Sequence, residues 1–173
     1  MHRRAALAWT LLGVLALGVP VAAPLAPQLV WNATASAPEG LYRLHADRPP
    51  AVGDWAALRA PQPLAGWLDR RGYLPGGVLL IKKVAARAPS RVCRQGDAIT
   101  VDGRLVGHAE PRDRAGRALP IWRGCFVLAE HDLFLLNPAA GSLDSRYFGA
   151  LEDAAVVGRA EPLWLIQDPP HGR

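Results

Sequence analysis

A serine hydroxyl is a poor nucleophile at neutral pH unless a base takes its proton, so the first question is which serines and bases this chain offers. It has four serines, Ser36, Ser90, Ser142 and Ser145. None lies in a G-x-S-x-G turn, and the five histidines show neither H-E-x-x-H nor paired ligand spacing, so a lipase-like esterase and a zinc hydrolase are not supported and no metal or cofactor is expected. The 20 basic residues include only two lysines, Lys82 and Lys83. Arginine stays protonated in proteins whereas lysine can become a neutral amine, which makes this pair the candidate base. The pair closes the apolar run Val78-Leu79-Leu80-Ile81, where burial would lower an ammonium pKa. Alternation along a strand puts Leu80, Lys82 and Val84 on one face and Ile81 and Lys83 on the other, without saying which face is inward. Ser36 sits among small residues in Asn32-Ala33-Thr34-Ala35-Ser36-Ala37-Pro38-Glu39-Gly40-Leu41-Tyr42. On these residues alone, Ser36 reads more readily as a turn residue and each lysine as a solvated strand end.

The elements that would have to position them read as follows. Residues 5–27 carry no charge and only Thr10 as a polar side chain, and about 20 residues at ~1.5 Å rise span a bilayer core. Arg3 and Arg4 precede this run and no charge follows until Glu39, so the positive-inside rule keeps residues 1–4 cytoplasmic and exports residues 28–173 as one domain. A cleaved secretory signal is the competing reading, with Val21-Ala22-Ala23 as its cleavage region; Pro24 disfavours cutting there. The exported part is expected to be mainly β, because short apolar runs such as residues 77–81 and 125–128 are separated by Gly, Pro and Asp. Asp102-Gly103 between two β-prone segments predicts a two-residue hairpin, and the polar stretch 109–119 an exposed loop. Trp122 and Trp164 are expected to pack in the core. Cys93 and Cys125, the two cysteines, are expected to form one disulfide in an exported domain.

The formal charge of +5 does not imply a nucleic-acid partner. Two of the basic residues are Arg3 and Arg4, and the other arginines are interspersed with acids, as in Asp69-Arg70-Arg71 and Arg112-Asp113-Arg114.

Three segments together resemble the boxes of bacterial type I signal peptidases. Thr34-Ala35-Ser36-Ala37-Pro38-Glu39-Gly40-Leu41-Tyr42 is similar to their nucleophile box, and its S-x-P-x-G-x-Y form looks like the TraF-type peptidases of conjugative transfer. Leu80-Ile81-Lys82-Lys83-Val84 resembles the lysine box, with Lys82 at the base. Ser142-Leu143-Asp144-Ser145-Arg146-Tyr147-Phe148-Gly149 is similar to the C-terminal S-x-D-S-R-Y-[WF]-G box, the most specific of the three. Val52-Gly53-Asp54 fits the short box between nucleophile and lysine. Two departures, Leu136-Asn137-Pro138-Ala139-Ala140-Gly141 in place of a G-D-N approach and Arg87-Ala88-Pro89-Ser90 in place of L-P-G-D, point toward the conjugative branch rather than a housekeeping enzyme.

The resemblance implies a signal-peptidase-like β domain behind one N-terminal transmembrane helix, single-pass in the bacterial inner membrane with the catalytic domain in the periplasm. It implies Ser36 as nucleophile and Lys82 as base, an oxyanion held by the Ser36 N–H and the Thr34 hydroxyl, and Ser142 orienting the lysine. Asp144 and Arg146 would form a supporting ion pair, though the conjugative branch leaves Asp144 a closer role. The partner would be an exported precursor polypeptide: a pilin matured with or without cyclisation, or, alternatively, secretory signal peptides. A reading from another class is a non-catalytic, membrane-tethered envelope binding domain, which accounts for the anchor and cysteines but not for the three boxes occurring together.

Overall fold

The computed structural model describes residues 5–14 and 27–166. Residues 5–14 form a helix, α1. The remainder of the expected anchor, residues 15–26, lies outside the described residues. Among the described residues no helix is long and apolar enough to cross a membrane.

Residues 27–166 are mainly β, because their apolar runs are short and end at turn-forming residues. The strands are β1 (Leu29–Asn32), β2 (Gly40–His45), β3 (Trp55–Leu58), β4 (Leu80–Arg87), β5 (Arg91–Gln95), β6 (Ala98–Val101), β7 (Arg104–His108), β8 (Gly124–Val127), β9 (Asp132–Leu135), β10 (Leu151–Glu152) and β11 (Val156–Leu165). Two short helices, α2 (Leu64–Arg70) and α3 (Ser145–Phe148), interrupt them. The larger sheet runs β1-β2-β11-β3-β4-β9-β10 and the smaller β7-β6-β5-β8. All strand pairs are antiparallel.

Strand β4 lies inside the larger sheet and both its faces are covered. Ile81 packs with Tyr42, Leu44 and Ala57, while Leu80 and Val84 pack with Ala56, Leu58 and Leu133. Alternation therefore separates the lysines as expected. Lys82 is buried at 4% exposure on the second face, and Lys83 is half-buried on the first with its ammonium over the Trp55 ring. The Val52-Gly53-Asp54 box fixes this strand's neighbour: Gly53 N–H donates to Val84 O and Val84 N–H to Asp54 O, which sets β3 against β4 two residues from Lys82.

The Asp102-Gly103 hairpin forms between β6 and β7 with φ of 48° and 78°, the left-handed pair that a tight turn of this hand needs. Gly40 answers a different constraint. Its φ is +145°, and a Cβ there would lie 2.1 Å from Trp164 O, so β11 can cross at this point only over glycine.

Cys93 and Cys125 face each other on the paired strands β5 and β8 and are disulfide-bonded across 32 residues. Closing a loop of that length stabilises the domain by about 3 to 4 kcal/mol in the chain-entropy model. Protein recovered after export should accordingly bind maleimide only after reduction; full labelling without reductant would remove the bridge.

Trp122 packs against Phe126 and Phe134 as expected. Trp164 does not enter the core. It is 65% exposed and meets Trp31 edge-on at 6.0 Å, because the bulge between Pro162 and Trp164 breaks the inward-outward alternation of β11. The stretch 109–119 is mostly exposed, but it is tied down: Tyr73 donates to Asp113, Arg117 pairs with Asp113 at 2.7 Å, and Arg71 reaches Ala118 O.

Candidate active site

Ser36 lies in the connection between β1 and β2, and buried polar side chains set the shape of that connection. Asn32, 6% exposed, shares its two side-chain N–H groups among the carbonyls of Thr34, Ala37 and Pro38 at 3.0 to 3.1 Å. Its Oδ1 accepts from Thr34 N at 3.2 Å and from Thr34 Oγ1 at 2.8 Å. Tyr42, fully buried on β2, donates to Pro38 O at 2.6 Å. The Ser36 N–H meets no acceptor among the described residues and is available to an outside anion.

From β4, Lys82 Nζ reaches 3.5 Å from Ser36 Oγ and 3.0 Å from Ser142 Oγ. Thr34 Oγ1 lies 3.2 Å from Ser36 Oγ on the other side. Burial lowers the Lys82 pKa from 10.5 to about 8; the negative charge of Asp144 pulls it back up and Arg146 pushes it down. At pH 7 about a tenth of such lysines are neutral, with no histidine needed.

Asp144 and Arg146 lie behind this cluster at the start of α3, with side chains 0% and 3% exposed. The Asp144 carboxylate accepts from Arg146 N, Nε and Nη2 at 2.9 to 3.1 Å and from Asn137 N at 3.0 Å. Arg146 in turn donates to the carbonyls of Asn137, Ala139 and Ala140, so the pair supports the segment leading to Ser142. Ser145 Oγ accepts from Leu135 N at 2.9 Å and serves the backbone rather than Lys82.

Two residues that sequence reasoning assigned no role are central. Asn137, 1% exposed, donates to Ser36 O at 2.7 Å and Ile81 O at 3.2 Å, while its Oδ1 accepts from Lys83 N at 2.8 Å. It is the direct tie between the Ser36 connection and the strand carrying Lys82. Asn32 does the same work inside the connection. Both fall in or beside the quoted segments, and an asparagine bounded by apolar residues was the only available signal.

Two clefts meet at Ser36. One, of about 260 Å³, runs past Thr34 and Lys82 and is walled by Leu68, Tyr73, Val78, Leu79, Ile81 and Leu143. The other, of about 410 Å³, opens on the opposite side and is lined by residues 35–39, Trp55, Pro138, Ala139 and Ile166.

Residues 3–165 match the family described as signal peptidase, peptidase S26, and the chain belongs to that family. Within it, the chain is TraF-like. It is 40% identical to a probable conjugal transfer protein TraF of Sinorhizobium fredii over 75% of this chain and 73% of that one. It is 34% identical to the conjugal transfer protein TraF of Agrobacterium tumefaciens over 95% of this chain and 98% of that one. A solved signal peptidase I from Enterococcus faecalis overlaps 65% of this chain and 97% of its own at 17% identity with a TM-score of 0.39, too slight a likeness to decide the fold.

Proposed function

We propose that this chain is a membrane-bound serine endopeptidase that matures an exported precursor for conjugative transfer, most naturally a pilin, with Ser36 and Lys82 as its catalytic dyad. The observation that carries the reading is a single buried lysine amine within 3.5 Å of one serine oxygen and 3.0 Å of another, its pKa lowered to about 8. The family and the TraF-like relatives supply the context of precursor processing and conjugation.

Neutral Lys82 takes the Ser36 proton as Oγ attacks the scissile carbonyl. The oxyanion accepts from the Ser36 N–H and from the Thr34 hydroxyl, which turns its one proton from Asn32 Oδ1 toward the substrate to do so. Donors of this kind cost about 2.7 to 4 kcal/mol in the transition state when lost. Lys82 then passes its proton to the departing peptide amine as the C–N bond breaks, leaving an ester on Ser36. Water, deprotonated by Lys82, resolves the ester to a linear product. A peptide amine attacking instead gives a cyclic product one water lighter. Ser142 holds the lysine amine in line throughout, and Asp144 with Arg146 holds Ser142.

Residues 5–27 serve as the anchor in this reading, with the domain from residue 28 on the periplasmic side of the inner membrane. The exposed Trp31 and Trp164 rings suit the headgroup level a few residues beyond such an anchor.

The test uses the full chain in membranes. A serine-directed acylating probe should label wild type and Lys83→Arg equally and leave Ser36→Ala unlabelled; the mass of the processed substrate separates hydrolysis from cyclisation. Labelling that survives Ser36→Ala would refute the assignment, and an unlabelled wild type would favour the non-catalytic envelope domain.

A further inference from the structure

Ser36 borders two clefts that differ in character, and only one of them holds the acylation machinery. The Thr34 hydroxyl and Lys82 face the apolar cleft walled by Leu79, Ile81 and Leu143, so the acyl part of a substrate, whose carbonyl oxygen must reach Thr34, occupies that side. The departing amine must then leave through the second cleft, and a substrate chain passing through Ser36 has to lie in both.

The second cleft is built differently. Its walls include the Trp55 ring, Pro138 and Ala139, and its floor continues from Ser36 through Pro38 to Glu39. Glu39 is half-buried; its backbone carbonyl accepts from Ile166 N–H, which fixes the residue at the mouth of β2. Among the described residues no hydrogen bond or ion pair claims its carboxylate. The Lys83 ammonium sits over the ring of Trp55, which lines this cleft, 5.8 Å from its centroid, and makes no ion pair with Glu39 among the described residues. An unpaired carboxylate in a concave, partly desolvated wall attracts positive charge more strongly than one on open surface.

We propose that this second cleft receives the two or three residues on the carboxyl side of the bond being cut, and that Glu39 makes a basic residue there preferred over an acidic one. The inference rests on the serine peptidase reading and adds to it which sequence the enzyme cuts. The same cleft is the entry route for whatever amine resolves the acyl-enzyme, because aminolysis retraces the departure of the leaving amine. A cationic segment is thus selected both as leaving group and as acceptor.

The test compares kcat/KM of the membrane-embedded full chain on paired peptides that are identical up to the cut and carry Lys or Glu at the second position beyond it. Wild type should favour the Lys peptide by roughly fivefold to tenfold in low salt and by less in 0.5 M salt, as a partly solvated charge pair requires. Glu39→Gln should bring the ratio close to one and Glu39→Lys should invert it. A purely structural role for Glu39 would slow both peptides and leave their ratio where it was. A wild-type ratio near one, or one that Glu39→Gln does not move, overturns the proposal. Cleavage of either peptide by Ser36→Ala would strike instead at the assignment of the nucleophile.

Discussion

Lys82→Met should abolish cleavage and, at pH 7, make the folded domain more stable. The two effects share one cause. Lys82 is 4% exposed and its pKa falls from 10.5 to about 8 on folding. A shift of that size corresponds to about 3 kcal/mol by which the folded state is penalised for keeping the ammonium. The folded pKa lies below the unfolded one, so below pH 8 both states are protonated and the whole penalty stands. Between 8 and 10.5 the folded state sheds its proton while the unfolded state keeps it, so the penalty shrinks as pH rises and is gone above 10.5. Methionine fills the same channel without a charge, and the partner lost by the Ser142 hydroxyl offsets about 1 kcal/mol of the gain. Urea unfolding at pH 7 should therefore favour Lys82→Met by roughly 2 kcal/mol, with the advantage gone by about pH 10.5. A variant less stable than wild type at pH 7 would mean that burial does not penalise this lysine.

In the proposed mechanism the same group sets the rate. Loss of a general base typically costs about 10² to 10⁴ in rate, so Lys82→Met and Lys82→Arg should both be inactive in a processing assay. Wild-type kcat/KM should rise about tenfold per pH unit up to about 8 and then level off, as expected of a base working in its neutral form. Cleavage retained by Lys82→Arg, whose side chain stays protonated, would eliminate Lys82 as the base.

Asp144→Asn should destabilise the domain by about 3 to 5 kcal/mol, because it leaves the buried Arg146 guanidinium without a counter-charge. Asparagine can still accept one or two of the four hydrogen bonds that the carboxylate now receives from Arg146 and Asn137, but it cannot neutralise the cation. Arg146→Met should cost a similar amount. The double variant should lose less than the sum of the two, since neither charge is then left alone. Asp144 also acts on Lys82 through space, raising its pKa. In Asp144→Asn that pull is gone while the push from Arg146 remains, so the midpoint of the pH-rate profile should move below 8. A purely structural role would lower activity without moving the midpoint.

What could be read in the sequence and what could not divides along the reach of the interactions. The mainly β domain, the Asp102-Gly103 hairpin and the separation of Lys82 from Lys83 follow from side-chain alternation and turn preference, which act over a few residues and are visible in a single chain. The boxes around Ser36, Lys82 and Ser142 could be found because each is a short contiguous run that resembles a family motif. The core position expected of Trp164 does not form because a bulge, which no local pattern announces, turns its ring outward. The face of β4 that buries an amine could not be chosen in advance, because both faces are covered and only the approach of the Ser36 connection and the segment before α3 makes the Lys82 side polar. Asn137 is the sharpest case. In sequence it stood only within a departure from the expected pattern, whereas in the fold it joins Ser36, Ile81 and Lys83, 101, 56 and 54 residues away. A buried amide owes its role to whichever unpaired backbone groups the folded chain brings to it, and those meet only once the sheet has closed. Short runs of the chain single out the residues proposed to carry the chemistry, whereas which of them touch and how dry the lysine is depend on contacts between segments far apart in the chain, which exist only in the folded sheet.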